Sequence, residues 1–229
     1  MNFFRSCENA NHSEEKLLRY RVGQRLVHAV LATSFLMLLF SGLMVLWPPL
    51  LLWVRSVAPD ISPGLIHRIG AVLFMAVPML YLLVDRCGAR QLLVESFTYD
   101  KDDIEWLKHA WRYFMGHAVG MPPQGRLNAG QKLHHAGVVI FSATVVFSGL
   151  ALWFGKGYLG PTGLALAATI HGLSMLVLTV LLVGHLYFTF VYKALSAMTT
   201  GYVPKEEAMI EHPKWVEELE HQSASGKSF

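Results

Sequence analysis

The chain has 229 residues, 53% of them hydrophobic and 15% charged, with a mean hydropathy of +0.39. Soluble domains average about 45–50% apolar and about 25% charged, so a soluble enzyme is the poorest fit. The net charge of +3 is dispersed, which argues against nucleic-acid binding, and two cysteines, Cys7 and Cys87, cannot hold an iron-sulfur cluster or a structural zinc.

The first 21 residues are polar and lack an apolar stretch ahead of a small-residue cleavage site, so no cleavable signal peptide is expected. Apolar runs of the length a bilayer requires, about 20 residues, then fall at 26–48, 65–84, 133–154 and 163–192. Pro78 is expected to kink the second, and the fourth is long enough that it must tilt or project. The large apolar residues at 47–54 read either as an interfacial aromatic belt or as a seat for a partner protein. Segment 85–132 mixes acid, base and Trp, and reads as an amphipathic helix on the membrane surface or as a solvated connector. The end, HQSASGKSF, reads as disordered, and no internal repeat is apparent. The expected fold is an all-α integral membrane four-helix bundle, one domain over 1–229, with a cytoplasmic amphipathic loop and C-terminal tail.

Sixteen of the nineteen Lys and Arg residues lie in 1–25, in 85–132 and after the fourth run, leaving only Arg55, Arg68 and Lys156 for the other side. Cytoplasmic loops accumulate such residues, which puts both termini and the long loop in the cytoplasm.

Four of the eleven histidines lie inside the spans: His28, His67, His171 and His185. An ionisable residue at that depth is a functional candidate. His171 and His185 share a helix and, 14 positions apart, lie on nearly one face and about 21 Å apart along the axis. Topology pairs them with the others: His28 and His185 fall in the inner half, His67 and His171 in the outer half. A pair of imidazoles from facing helices can hold a haem from both sides, as bundles commonly build cofactor sites. The alternatives are ordinary buried histidines hydrogen-bonded across helices, or a proton relay in a haem-free transporter, although no intramembrane Asp or Glu accompanies them. His134 and His135 open the third span and point in different directions, so at most one faces a cofactor. His109, His117, His212 and His221 lie in polar stretches and are expected to be solvated. Gly70, Gly172 and Gly184, near the candidate ligands, would admit a porphyrin or allow close helix packing.

Three segments carry a family resemblance: R-L-N-A-G-Q-K at 126–132, D-D-I-x-W at 102–106 and H-P-K-W at 212–215, together with the 14-residue His spacing of the last span. With these the chain resembles the gamma, or cytochrome b, subunit of membrane-bound formate dehydrogenases from Arg19 to about Glu220. The resemblance implies two haem b groups, with His67 and His171 as ligands nearer the periplasm and His28 and His185 nearer the cytoplasm. It implies a menaquinone or ubiquinone site beside the N-x-G-Q-K segment, with Asn128 donating to a quinone carbonyl, the Gly130 amide as a second contact and Gln131 as a neighbour. From the residues alone, Asn128 also reads as the N-cap of the third span.

The resemblance further implies a place in the bacterial inner membrane, an iron-sulfur (beta) subunit and a molybdenum- or tungsten-containing catalytic (alpha) subunit as partners. The chain differs from the family's usual pattern at Ala29, at Arg68 and at Phe154-Gly155, positions that leave the four histidines untouched. Cytochrome b subunits of hydrogenases or sulfur-compound reductases, and a self-standing quinol-oxidising cytochrome b, are the related readings.

Overall fold

The computed structural model describes residues 15–192 and 194–225. The expectations for the first 14 residues, including Arg5 and Cys7, and for Lys193, Lys227 and the last four positions lie outside the described residues.

The elements run β1 (Lys16–Leu18), α1 (Val22–Leu46), α2 (Pro48–Val57), α3 (Pro63–Val84), α4 (Arg86–Phe97), α5 (Lys101–Lys108), α6 (Ala110–Phe114), α7 (Ala129–Phe154), α8 (Pro161–Val191), α9 (Leu195–Thr200), β2 (Tyr202–Pro204), α10 (Lys205–Glu211) and α11 (Pro213–Ala224). Helices α1, α3, α7 and α8 are long and apolar enough to cross a membrane, and their outward side chains, such as Leu36, Val72, Phe147 and Val180, are exposed as lipid-facing residues are. The fold is an all-α membrane bundle.

Each spanning helix begins two to four residues before the apolar run that announced it, because the first turn is set by capping. Ser62 caps α3 by accepting from the Leu65 amide, with Pro63 at the first helical position. Pro161 plays the same part in α8, and Asn128 and Gln131 close a reciprocal capping box on α7. Helix α3 continues through Pro78.

Backbone packing is concentrated within two hairpins, α1 against α3 and α7 against α8. Gly70 permits the first of these: a Cβ there would meet Leu38 Cγ at 3.2 Å and the Ser34 carbonyl at 3.3 Å. It therefore serves helix packing, whereas Gly172 and Gly184 have open space beside them. Between the hairpins, side chains meet across a wider interval, where the histidines lie.

The polar segments form a folded cap at one end of the bundle. Segment 85–132, read as a surface helix or a connector, contains α4, α5 and α6, with α4 and α5 packed on α7 and Trp106 buried. The tail turns back so that β2 pairs antiparallel with β1, Leu17 opposite Val203. Trp215, Val216 and Ala208 form a small core against Leu17. His221 to Ala224 complete α11, which corrects the expectation of disorder for that part of the tail.

Candidate functional site

His67 stands in the second turn of α3 and His171 in the first half of α8. Their ring centroids lie 6.2 Å apart, tilted by 58°. Each ring is held by the other helix of its own hairpin. His67 Nδ1 lies 2.9 Å from Ser41 Oγ on α1; His171 Nδ1 lies 3.2 Å from Ser148 Oγ and 3.0 Å from the Val145 carbonyl on α7. The residues after the serines are glycines: a Cβ at Gly149 would press on His171 Cε1 at 3.2 Å, and one at Gly42 would touch His67 Cε1 at 3.8 Å.

The second pair lies at the capped end. His28 of α1 and His185 of α8 have centroids 6.1 Å apart, tilted by 51°. His134 stacks on His185 at 5.4 Å with an interplanar angle of 15°, while His135 turns elsewhere, 5.9 Å from His134. One member of the adjacent pair thus enters the site and the other does not, as their positions on a helix require.

Both pairs suit a metal-bearing group of one kind. A metal–imidazole bond is about 2.0–2.1 Å, and two such bonds plus the ring radii match a centroid separation near 6 Å. Among the described residues no cluster of three or more His, Cys, Asp or Glu side chains could hold a metal ion. Each level offers two facing donors, so the group must bring its remaining ligands itself, as a porphyrin does.

The N-terminus of α7 is the third candidate. Asn128 is 1% exposed. Its Oδ1 accepts from the Gln131 amide at 2.8 Å, its Nδ2 donates to Tyr113 Oη at 3.3 Å, and Gln131 Oε1 accepts from the Asn128 amide at 3.1 Å. Gln124 Oε1 takes the Ala129 amide at 2.7 Å. Of these first-turn amides, Gly130 N–H has no partner among the described residues, and Trp106 packs so closely on the Cβ side of Gly130 that a Cβ there would lie 2.9 Å from the ring. Asn128 is therefore the helix cap, with one amide hydrogen uncommitted, and Gln131 completes that cap.

The three segments that carried the family resemblance converge here. Arg126 pairs with Glu95 through Nε and Nη2, Lys132 Nζ reaches the buried Asp103 at 2.6 Å, and Lys214 bridges Asp100 at 2.8 Å and Asp102 at 2.6 Å. These bonds tie α4 to the linker before α7, α5 to α7, and α11 to the start of α5. The Lys214 ammonium beside it holds the Asp100 carboxyl down at about 2.

His212 corrects an expectation. It is buried, not solvated, because α10 and α11 fold back over the linker before α7. Its Nδ1 donates to the Gly125 carbonyl at 2.8 Å, and its Nε2 accepts from Arg19 at 3.3 Å. Burial, aided by the Arg19 charge, lowers its pKa to about 3. His109, His117 and His221 are exposed, as expected.

Ser41 and Ser148 were not singled out by sequence reasoning. The signal was available: the tetrapeptide F-S-G-L occurs at 40–43 and again at 147–150.

Residues 19–201 match the prokaryotic cytochrome b561 family. The chain is 26% identical to the formate dehydrogenase cytochrome b556(fdo) subunit of Escherichia coli strain K12 over 212 residues, covering 90% of this chain and 94% of that one. It is 24% identical to the formate dehydrogenase cytochrome b556 subunit of Haemophilus influenzae, covering 90% and 84%. With the nitrate-inducible formate dehydrogenase cytochrome b556(Fdn) subunit of E. coli K12 it shares 22% identity, covering 93% and 95%. A match over most of its length, on a bundle of four membrane helices, makes this chain a member of the prokaryotic cytochrome b561 family, a b-type cytochrome of a bacterial membrane.

Proposed function

We propose that the chain is the di-haem membrane anchor of a formate dehydrogenase, taking electrons from an iron-sulfur subunit and delivering them through two b haems to menaquinone or ubiquinone. The observation that carries this reading is the pairing of four intramembrane histidines into two facing pairs, 6.1 and 6.2 Å between centroids, at two levels of one bundle. His67 and His171 hold the outer haem and His28 and His185 the inner one. The haems supply one-electron transfer; the protein supplies ligation, spacing and an apolar wall. The 14-position spacing of His171 and His185 sets the two levels about 21 Å apart along α8.

The quinone sits beside the α7 N-terminus, where the uncommitted Asn128 amide hydrogen and the Gly130 N–H offer donors and the helix dipole favours a carbonyl gaining charge. Formate oxidation belongs to a molybdenum- or tungsten-containing catalytic partner subunit; the relatives named above as formate dehydrogenase subunits support that assignment.

Haem content and a reduced-minus-oxidised spectrum on the complex purified with its partners test the reading. His171→Leu is expected to remove one haem of two and leave the inner one, and His185→Leu to do the reverse. Retention of both haems in either variant would overturn the pairing.

A further inference from the structure

Nothing in the family match or the four-histidine pattern assigns a role to the two F-S-G-L segments, yet they produce the same local structure twice. In α1, Ser41 Oγ donates its only proton into its own helix, toward the Met37 carbonyl at 2.6 Å. In α7, Ser148 Oγ does the same toward Thr144 at 2.7 Å. Each hydroxyl also lies near a second carbonyl of its own helix, Leu38 at 3.2 Å and Val145 at 3.1 Å, and a hydroxyl whose proton is committed there can only accept at its contact outside the helix. That contact is a histidine Nδ1 in both cases, His67 at 2.9 Å and His171 at 3.2 Å. In α7 a carbonyl three residues before the serine reinforces it: Val145 O lies 3.0 Å from His171 Nδ1. A carbonyl only accepts, so the ring proton must sit on Nδ1. Nε2 is then a bare lone pair, the state a metal requires of imidazole.

The inner pair lacks this arrangement: neither the His28 nor the His185 ring makes a hydrogen bond among the described residues. The two levels therefore differ in how their rings are held, and the difference follows the tetrapeptide.

We infer that Ser41 and Ser148 are positioning residues that fix the ring protons of His67 and His171 on Nδ1 and so aim both Nε2 lone pairs into the interval between the hairpins. Of the adjacent glycines, Gly149 lets the His171 ring approach where a Cβ would press on Cε1 at 3.2 Å, whereas a Cβ at Gly42 would only touch the His67 ring at 3.8 Å. The inference rests on His67 and His171 being haem ligands. An acceptor on Nδ1–H makes the ring a stronger donor to iron and favours the more positive oxidation state, so the serines hold the outer haem at a lower potential than its ligands alone would give.

The test is a redox titration of the complex as purified, with the two b-haem components resolved and the outer one identified as that lost in His171→Leu. In the Ser41→Ala/Ser148→Ala double variant the outer component should move to more positive potential, or its haem should be lost, while the inner component keeps its wild-type value. Ser148→Thr, which retains the hydroxyl, should leave the outer component unmoved. An outer component at its wild-type potential in the double alanine variant, or two components moving together, overturns the inference. Failure of the ligand reading is distinct: it appears as a His171→Leu protein that keeps both haems.

Discussion

Two adjacent residues of the cap, Glu211 and His212, respond to burial with opposite signs. Burial raises the Glu211 carboxyl to about 7, opposed by the Tyr113 hydroxyl at 3.4 Å and the Arg19 charge and assisted by Glu207. Burial lowers His212 to about 3. For Glu211 the folded protein keeps a proton that the unfolded chain releases above 4.5, so stability falls as pH rises from about 4.5 to about 7. For His212 the unfolded chain takes up a proton below 6.5 that the folded one refuses, so stability falls as pH drops from 6.5 toward 3. Glu211→Gln is expected to keep the buried contact without a charge to desolvate. Thermal unfolding in detergent should then show the variant more stable than wild type at pH 8, by up to about 3 kcal/mol, with little difference at pH 4.5. An advantage equal at both pH values would contradict the assignment of that slope to Glu211.

At the scale of elements, α7 carries the largest number of separate tasks. Its first turn is capped by Asn128, its second brings His134 onto His185, and its later part presents Ser148 to His171. Asn128 joins the first of these tasks to a further one, since Oδ1 caps the helix while Nδ2 meets Tyr113 beside the proposed quinone site. Substitutions separate them. Asn128→Ala should cost about 1 kcal/mol for the lost cap and slow quinone reduction with the haem spectrum unchanged. Asn128→Ser retains a capping oxygen and should recover the stability while quinone reduction stays slow; full turnover in the serine variant would leave Asn128 as a cap alone.

The same helix shows why part of the structure was legible in the sequence. A run of about 20 apolar residues is a local property, and so is the depth of a histidine within it; four spans and two histidine pairs follow from those alone. The cap is not local. His212 sits in a polar stretch and reads as solvated until α11 is brought against Gly125 and Arg19, 87 and 193 positions away. Ser41 and Ser148 were overlooked for another reason: a serine in an apolar helix bonds its own backbone and looks merely tolerated. Only the opposing ring gives it meaning.

The whole molecule is asymmetric end to end, and in the proposed function that asymmetry decides which haem would meet which partner. One end is bare hairpin, with the short helix α2 exposing Trp47 and Trp53; the other is sealed by α4–α6 and α9–α11. Helix α8, with 31 residues, is about 46 Å long against about 30 Å of hydrocarbon. Its last turn projects into the cap, where Phe188 and Tyr192 pack on Tyr113. The excess of Lys and Arg at the capped end predicts that this end is cytoplasmic. Cys87, exposed on α4, and Tyr158, 91% exposed on the α7–α8 connection, report the two sides. In a Cys7→Ser background, a membrane-impermeant maleimide added to right-side-out vesicles should leave Cys87 unlabelled until the membrane is opened. With Cys87 also replaced by Ser, Tyr158→Cys should be labelled at once. The reverse pattern would put His67 and His171 at the cytoplasmic level and the α7 N-terminus outside. Electrons entering from an external partner would then meet the His28–His185 pair first, and the proposed quinone site would draw its protons from the wrong side of the membrane to generate a potential.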